Sequence, residues 1–186
     1  MGNRAVITNK EKKFGIYLHW NGGPDSIEAF TQYAYICGVR DPKQQDDYTF
    51  ARLTQIIANY FDGTLSIGIG LLDDLDCDNH DNGVYVLGKG WKIVERYGSG
   101  CKSESEGYEV EAMIEEINSK QPKKLQKAFR VNQKRVNNGE EPLRDIEYMS
   151  VPDELKIDEV RDLKRRLHLV EKSLELAVDV IKDPKS

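Results

Sequence analysis

Hydrophobic and polar positions alternate in short blocks along the first hundred residues. Two apolar runs, residues 5–8 and 16–20, predict strands joined by a polar, cationic connection. Asn21, Gly22 and Gly23 stop the second strand, and Pro24, Asp25 and Ser26 open a helix. Ile27, Phe30, Tyr33 or Ala34, and Cys37 then recur at helical spacing, placing that helix at 25–39. Asp41-Pro42 breaks the pattern. A second helix begins at Asp46-Asp47, carries Phe50, Leu53, Ile56 or Ile57, and Tyr60 on one face, and ends at Asp62-Gly63. Apolar runs at 65–71, 83–87 and 91–97 predict three more strands, with Gly88, Lys89 and Gly90 as a turn between the last two.

The pattern lengthens after Gly98. Residues 108–119 have the spacing of an amphipathic helix, and Gln121-Pro122 opens a second at 123–136. That second helix holds Lys123, Lys124, Lys127, Arg130, Lys134 and Arg135 and no acid, with Leu125 and Phe129 turned inward. Asn137, Asn138 and Gly139 end it. Ser150 and Asp153, with Pro152 between them, resemble a capping box for a last long helix. In it Val160, Leu163, Leu167, Val170, Leu174, Ala177 and Ile181 follow a seven-residue repeat. A parallel pair would set Glu159 against Lys164 and Arg166 against Glu171, both attractive. Leu169, Leu176, Val178 and Val180 widen the apolar face, as in a helix folded back on its own domain.

These elements predict an α+β fold: a small, mostly antiparallel sheet covered by a helical hairpin, with a long C-terminal helix carrying a heptad pattern. The expected organisation is an α+β domain at 1–120, a basic helical segment and linker at 121–149, and a C-terminal amphipathic helix at 150–186 that makes a homodimer. A chain of 186 residues can bury such a core without metal or disulfide staples. Its net charge of −5 argues against phosphate affinity over the whole surface, and suits docking on a basic one. Cys37, Cys77 and Cys101 form no close pair, which fits a reducing cytoplasm. Neither a signal-peptide core nor a membrane-length apolar run is present in the sequence.

Candidate chemistry concentrates in two places. His19 and Trp20 end the second strand beside two glycines. Residues 73–83 hold Asp73, Asp74, Asp76, Asp78 and Asp81 with Asn79, Asn82 and His80, a donor set suited to a hard divalent cation. Read as a calcium loop from Asp78, however, the twelfth position is Lys89 where a glutamate belongs. The expectation is therefore a loop whose Asp and Asn side chains bond their own backbone, with no metal and no cofactor. Cys37 or Cys77 with His19 as base is a conceivable nucleophile pair, yet Cys37 falls on an apolar helical stripe. The chain lacks the P-loop, G-x-S-x-G, H-E-x-x-H and dinucleotide patterns.

The blocks Arg4-Ala-Val-Ile7, Gly15-Ile-Tyr-Leu-His-Trp-Asn-Gly-Gly23, Ala51-Arg-Leu-Thr54, Ile57-Ala-Asn-Tyr-Phe61, Leu65-Ser-Ile-Gly68 and Asp81-Asn-Gly-Val-Tyr-Val86 resemble a family spread through bacteria, bacteriophages and mobile elements. By the genomes that carry it, that family is similar to the type II anti-CRISPR proteins that inhibit Cas9. The resemblance implies a non-enzymatic inhibitor acting in the host cytoplasm by steric and electrostatic blockade of a defence nuclease or its nucleic-acid complex. Arg4, His19, Trp20, Asn21, Asp78, His80, Asp81 and Asn82 are the candidate partner-binding residues. The six cations of 123–135 are candidates for DNA or RNA. Two alternatives stand beside this reading: a metal-dependent hydrolase using His19, Asp78, His80 and Asp81, and a nucleic-acid-binding accessory protein.

Overall fold

A computed structural model describes residues 2–42, 47–63, 66–99, 101 and 109–144. The heptad residues Val160, Leu163, Leu167, Val170, Leu174, Ala177 and Ile181 lie outside the described residues, as does the capping box before them.

The chain runs β1 (Ala5–Asn9), β2 (Phe14–Leu18), α1 (Pro24–Ile36), α2 (Asp47–Tyr60), β3 (Ile67–Leu71), β4 (Val84–Leu87), β5 (Ile93–Tyr97), α3 (Val110–Lys120) and α4 (Lys123–Asn137). The five strands form one sheet in the order β3-β2-β1-β4-β5. Three neighbouring pairs are antiparallel, and β1 with β4 is parallel, from Val6 opposite Val84 to Asn9 opposite Leu87. The fold is α+β with a mixed, mostly antiparallel sheet, as the sequence pattern predicts.

Alternation along the strands divides the side chains between two faces. Ala5, Ile7, Ile16, Leu18, Tyr85 and Leu87 point to one face and are fully or almost fully buried there. Helices α1, α2 and α3 supply Ile27, Phe30, Leu53, Ile57 and Ile117 to the same core. Helix α4 belongs to this body too. Phe129 is buried and stacks on Tyr33 of α1 with ring centroids 4.9 Å apart, and the Tyr33 hydroxyl donates to Asn118 Oδ1 at 3.1 Å.

The opposite face is covered by the connection from β3 to β4 rather than by a helix. Leu72, in a short 3-10 turn, packs with Val6 and Val84, and Leu75, Cys77, Tyr17 and Tyr97 close around them. Leu75 can lie flat on the sheet because two strand residues lack side chains. A Cβ at Gly15 would sit 2.7 Å from Leu75 Cδ1, and one at Gly70 3.2 Å from Cδ2.

Two details of the sequence reading change. The last strand starts at Ile93 instead of Trp91, because Trp91 belongs to a tight turn, Lys89–Trp91, at the tip of the hairpin. Its buried indole donates to Val39 O at 3.0 Å while Gly90 N donates to Asp41 Oδ1 at 2.8 Å, so the turn is fastened to the end of α1. The second strand ends at Leu18, which leaves His19 and Trp20 in the loop that follows.

Candidate functional site

Residues 2–4 precede β1 and bring two loops together. Asn3 N donates to His19 O at 3.2 Å, and Gly22 N donates back to Asn3 O at 2.9 Å. On the other side Asn82 donates to Arg4 O from its backbone and its side chain, both at 3.1 Å, and its amide also bonds Asn3 Oδ1. The His19–Trp20 loop and the aspartate-rich loop are thus neighbours at one end of the sheet.

Asn79 organises the aspartate-rich loop. It is 1 % exposed. Its Oδ1 accepts from the backbone N–H groups of Asp81, Asn82 and Gly83, each at 3.1 Å. Its Nδ2 donates to Asp76 O at 3.1 Å and Gly83 O at 3.3 Å. One amide therefore bonds five backbone groups and fixes the shape of the loop. The expected local side-chain-to-backbone bonding is present, centred on Asn79.

Charge at the site is partly locked in pairs. Arg4 Nε meets Asp81 Oδ2 at 2.7 Å, the Arg4 backbone N–H donates to the same oxygen at 3.1 Å, and Arg4 Nη1 lies 3.6 Å from Asp76. The hydrogen bond from Arg4 holds the Asp81 carboxyl below the ordinary range, and the same bond raises the Arg4 guanidinium. Asp78 is lowered by hydrogen bonding from Ser99, whose backbone N–H lies 3.0 Å away. Arg96 donates to Asn82 O at 3.1 Å and Asn82 Oδ1 at 3.2 Å, with its guanidinium 4.6 Å from the Tyr85 ring centre. Around this frame Asp76, Asp78 and His80 are exposed, while Asp73 and Asp74, also exposed, follow Leu72 at the far end of β3.

The aromatic part of the surface continues from the same frame. The Tyr17 hydroxyl lies 3.4 Å from His19 Nδ1. The His19 and Trp20 rings meet edge to face, 4.9 Å between centroids, and Trp20 is 45 % exposed. Asn21 and His80 both occupy left-handed backbone conformations, at φ of 54° and 58°. Tyr17 and Arg96 adjoin the candidate site although the sequence reading omitted them, and Asp76 and Asn79, read only as members of the aspartate-rich loop, adjoin it as well. Tyr17 was legible in principle: two residues before His19 on a strand, it shares that residue's side.

The conceivable nucleophiles are poorly disposed to react. Burial pushes the Cys37 thiol up to about 12, and burial with nearby Asp76 and Asp73 also raises Cys77. Asp81 is an ionised, arginine-paired carboxylate and hence a weak base. Among the described residues no group of three or more His, Cys, Asp and Glu side chains is gathered closely enough to hold a metal ion.

Helix α4 presents Lys123, Lys124, Lys127 and Lys134 to solvent, opposite buried Leu125, Ala128, Phe129 and Asn132. Arg130 is taken up by Glu115 of α3, with Nη1 to Oε1 at 2.6 Å, which lowers the glutamate. Arg135 pairs with Glu140 at 2.9 Å. A groove of about 1240 Å³, not foreseen in the sequence, runs between α1, the β4–β5 turn and the stretch after α4, with Gln32, Tyr35, Val39, Trp91 and Pro142 in its walls. Among the described residues no helix is long and apolar enough to cross a membrane. Compared with protein-family models, curated proteins and solved structures, the chain matches none.

Proposed function

We propose that this protein is a non-enzymatic inhibitor, of the kind carried by phages and mobile elements, that binds a host defence nuclease. Guide-loaded Cas9 is the candidate partner that the resemblance of the opening blocks suggests. The docking surface is the end of the sheet formed by Tyr17, His19, Trp20, Arg4, Asp76, Asp78 and His80.

One observation carries this reading. A half-exposed tryptophan and the exposed Asp76 and Asp78 lie at one end of the sheet, on a frame stiffened by Asn79 and by the Arg4–Asp81 pair. A large aromatic anchor ringed by charge is the pattern of an interface centre. Its sign suits a cationic groove that otherwise holds a nucleic-acid backbone. The test is binding of the purified chain to guide-loaded Cas9, with and without target DNA. The expected result is competition with DNA, abolished by Trp20→Ala combined with Asp76→Asn and Asp78→Asn. Undiminished binding by that triple variant would remove the surface from the account.

Helix α4 supports a second reading, nucleic-acid binding through exposed Lys123, Lys124, Lys127 and Lys134. It predicts affinity for DNA or RNA that falls steeply with salt, with a shallower slope after Lys124→Ala and Lys127→Ala.

A further inference from the structure

The two edges of the sheet differ in how they meet water. Strand β5 carries Lys92 just before it and Glu95 and Arg96 within it, and its pairing with β4 is broken by a register shift at Val86/Leu87. Charge and irregularity of that kind discourage another strand from adding on. Strand β3, at the opposite edge, is Ile67-Gly-Ile-Gly-Leu71, with no charge and no proline.

The direction of its peptide groups follows from the register. His19 N donates to Ser66 O and Leu72 N donates to Lys13 O, both at 2.9 Å, while Tyr17 stands opposite Gly68 and Gly15 opposite Gly70. Even-numbered residues therefore bond β2, and the N–H and C=O of Ile67, Ile69 and Leu71 point outward. Among the described residues no backbone group of another element bonds those of Ile67 and Ile69, while the Leu71 carbonyl accepts within the short turn that follows. The side chains of Ile69 and Leu71 are 60 % and 53 % exposed, and Phe14, opposite Leu71 on β2, is 50 % exposed. An open ladder and an apolar strip thus coincide on one edge.

We propose that this edge pairs with the same edge of a second copy, antiparallel, about a two-fold axis at Ile69. The sequence is self-complementary in that register. Ile69 meets its own counterpart and Ile67 meets Leu71, while the glycines put no side chain of β3 on the opposite side. Each residue that offers outward peptide groups then sits in a hydrogen-bonded pair, so the two sheets become one of ten strands. The acidic Asp73 and Asp74 of the two copies fall at opposite ends of the ladder, about 25 Å apart along the strands, so no like charges meet. The strands and six half-exposed side chains would bury on the order of 1,000 Å² in total, the lower bound for a specific interface. The dimer is accordingly reversible, with a dissociation constant in the micromolar range.

Sedimentation of the full chain over a concentration series tests it, using wild type, Ile69→Lys, and a heptad variant with Leu167→Lys and Leu174→Lys. The expected result is a concentration-dependent dimer component that Ile69→Lys weakens at least tenfold and the heptad variant retains. Wild type that is monomeric throughout, association unchanged in Ile69→Lys, or association lost only in the heptad variant would each overturn the proposal. Should Ile69→Lys prove misfolded by circular dichroism, amide exchange on the wild type decides. The Ile69 N–H is expected to become protected as concentration rises, and fast exchange at every concentration contradicts the pairing. Protection that appears only when an extended peptide from another protein is added would assign the edge to that peptide instead.

Discussion

The two faces of the sheet are built on different principles. The helix-covered face buries interlocking side chains from four helices and three strands, including Phe30, Tyr33, Leu53, Ile57, Ile117 and Phe129. The other face is one layer of loop held down by Leu72, Leu75 and Cys77, with its backbone tied by Asn79. Stability is concentrated on the first face and surface chemistry on the second. Changes beneath the helices should unfold the protein, whereas changes beneath the loop should disturb the candidate site while leaving the body folded.

The largest expected effect is Phe129→Ala. Removing a ring stacked on Tyr33 should destabilise the fold by about 3–5 kcal/mol, seen as a shifted chemical-denaturation midpoint. Next is Asn79→Ala, which removes five hydrogen bonds to the loop backbone, although Asn82 N–H keeps Arg4 O and Gly83 O keeps Val6 N–H, and should cost about 2–3 kcal/mol. Unlike the first, it should also loosen residues 76–83, visible as faster amide exchange there with the α1 and α3 amides unchanged. Gly15→Ala should cost about 1–3 kcal/mol, since its Cβ would crowd Leu75 and Val6. If it also lowers partner affinity, the coupling of the loop layer to the site is established. An unchanged denaturation midpoint for Gly15→Ala would mean the loop lies less tightly than described.

The smallest expected effect concerns pH. Asp81, Asp78 and Glu115 all have carboxyls lowered by their partners, from ordinary values of 3.8, 3.8 and 4.5. A carboxyl lowered in the folded state stabilises fully above its unfolded value, and that stabilisation disappears as pH falls through the folded value. The melting temperature should therefore be flat above about pH 5 and fall below about pH 4. In Arg4→Met the Asp81 share of that fall should be smaller, since only the backbone N–H bond to its carboxylate remains. An identical acid limb in the variant would mean that the pair contributes nothing to folding.

Much of the architecture was legible because periodicity changes sharply at glycine, proline and aspartate. The order of strands and helices follows from those breaks, and so does the inward stripe of α4 at Leu125 and Phe129. Sheet order was not legible, because nothing local tells β1 to accept β4 in parallel on one side and β2 on the other. The Trp91 turn escaped for a related reason: a tryptophan after Gly90 looks like a strand start until its indole finds Val39, 52 residues earlier. At the site, the reading found Arg4, His19, Trp20, Asp81 and Asn82, which the structure places at one end of the sheet. It did not find Asn79 as the organiser, since a buried amide bonding its own loop has the same sequence signature as a solvated one. The groove beside Trp91 was also hidden, because its walls come from three separate stretches of chain.

The most direct measurement is a competition titration in which guide-loaded Cas9 is offered labelled target DNA and increasing amounts of the protein. The account predicts stoichiometric displacement of DNA by wild type, no turnover of DNA or guide, and at least tenfold weaker displacement by Trp20→Ala with Asp76→Asn and Asp78→Asn. Equal displacement by both proteins, or catalytic destruction of the complex by the wild type, would contradict it.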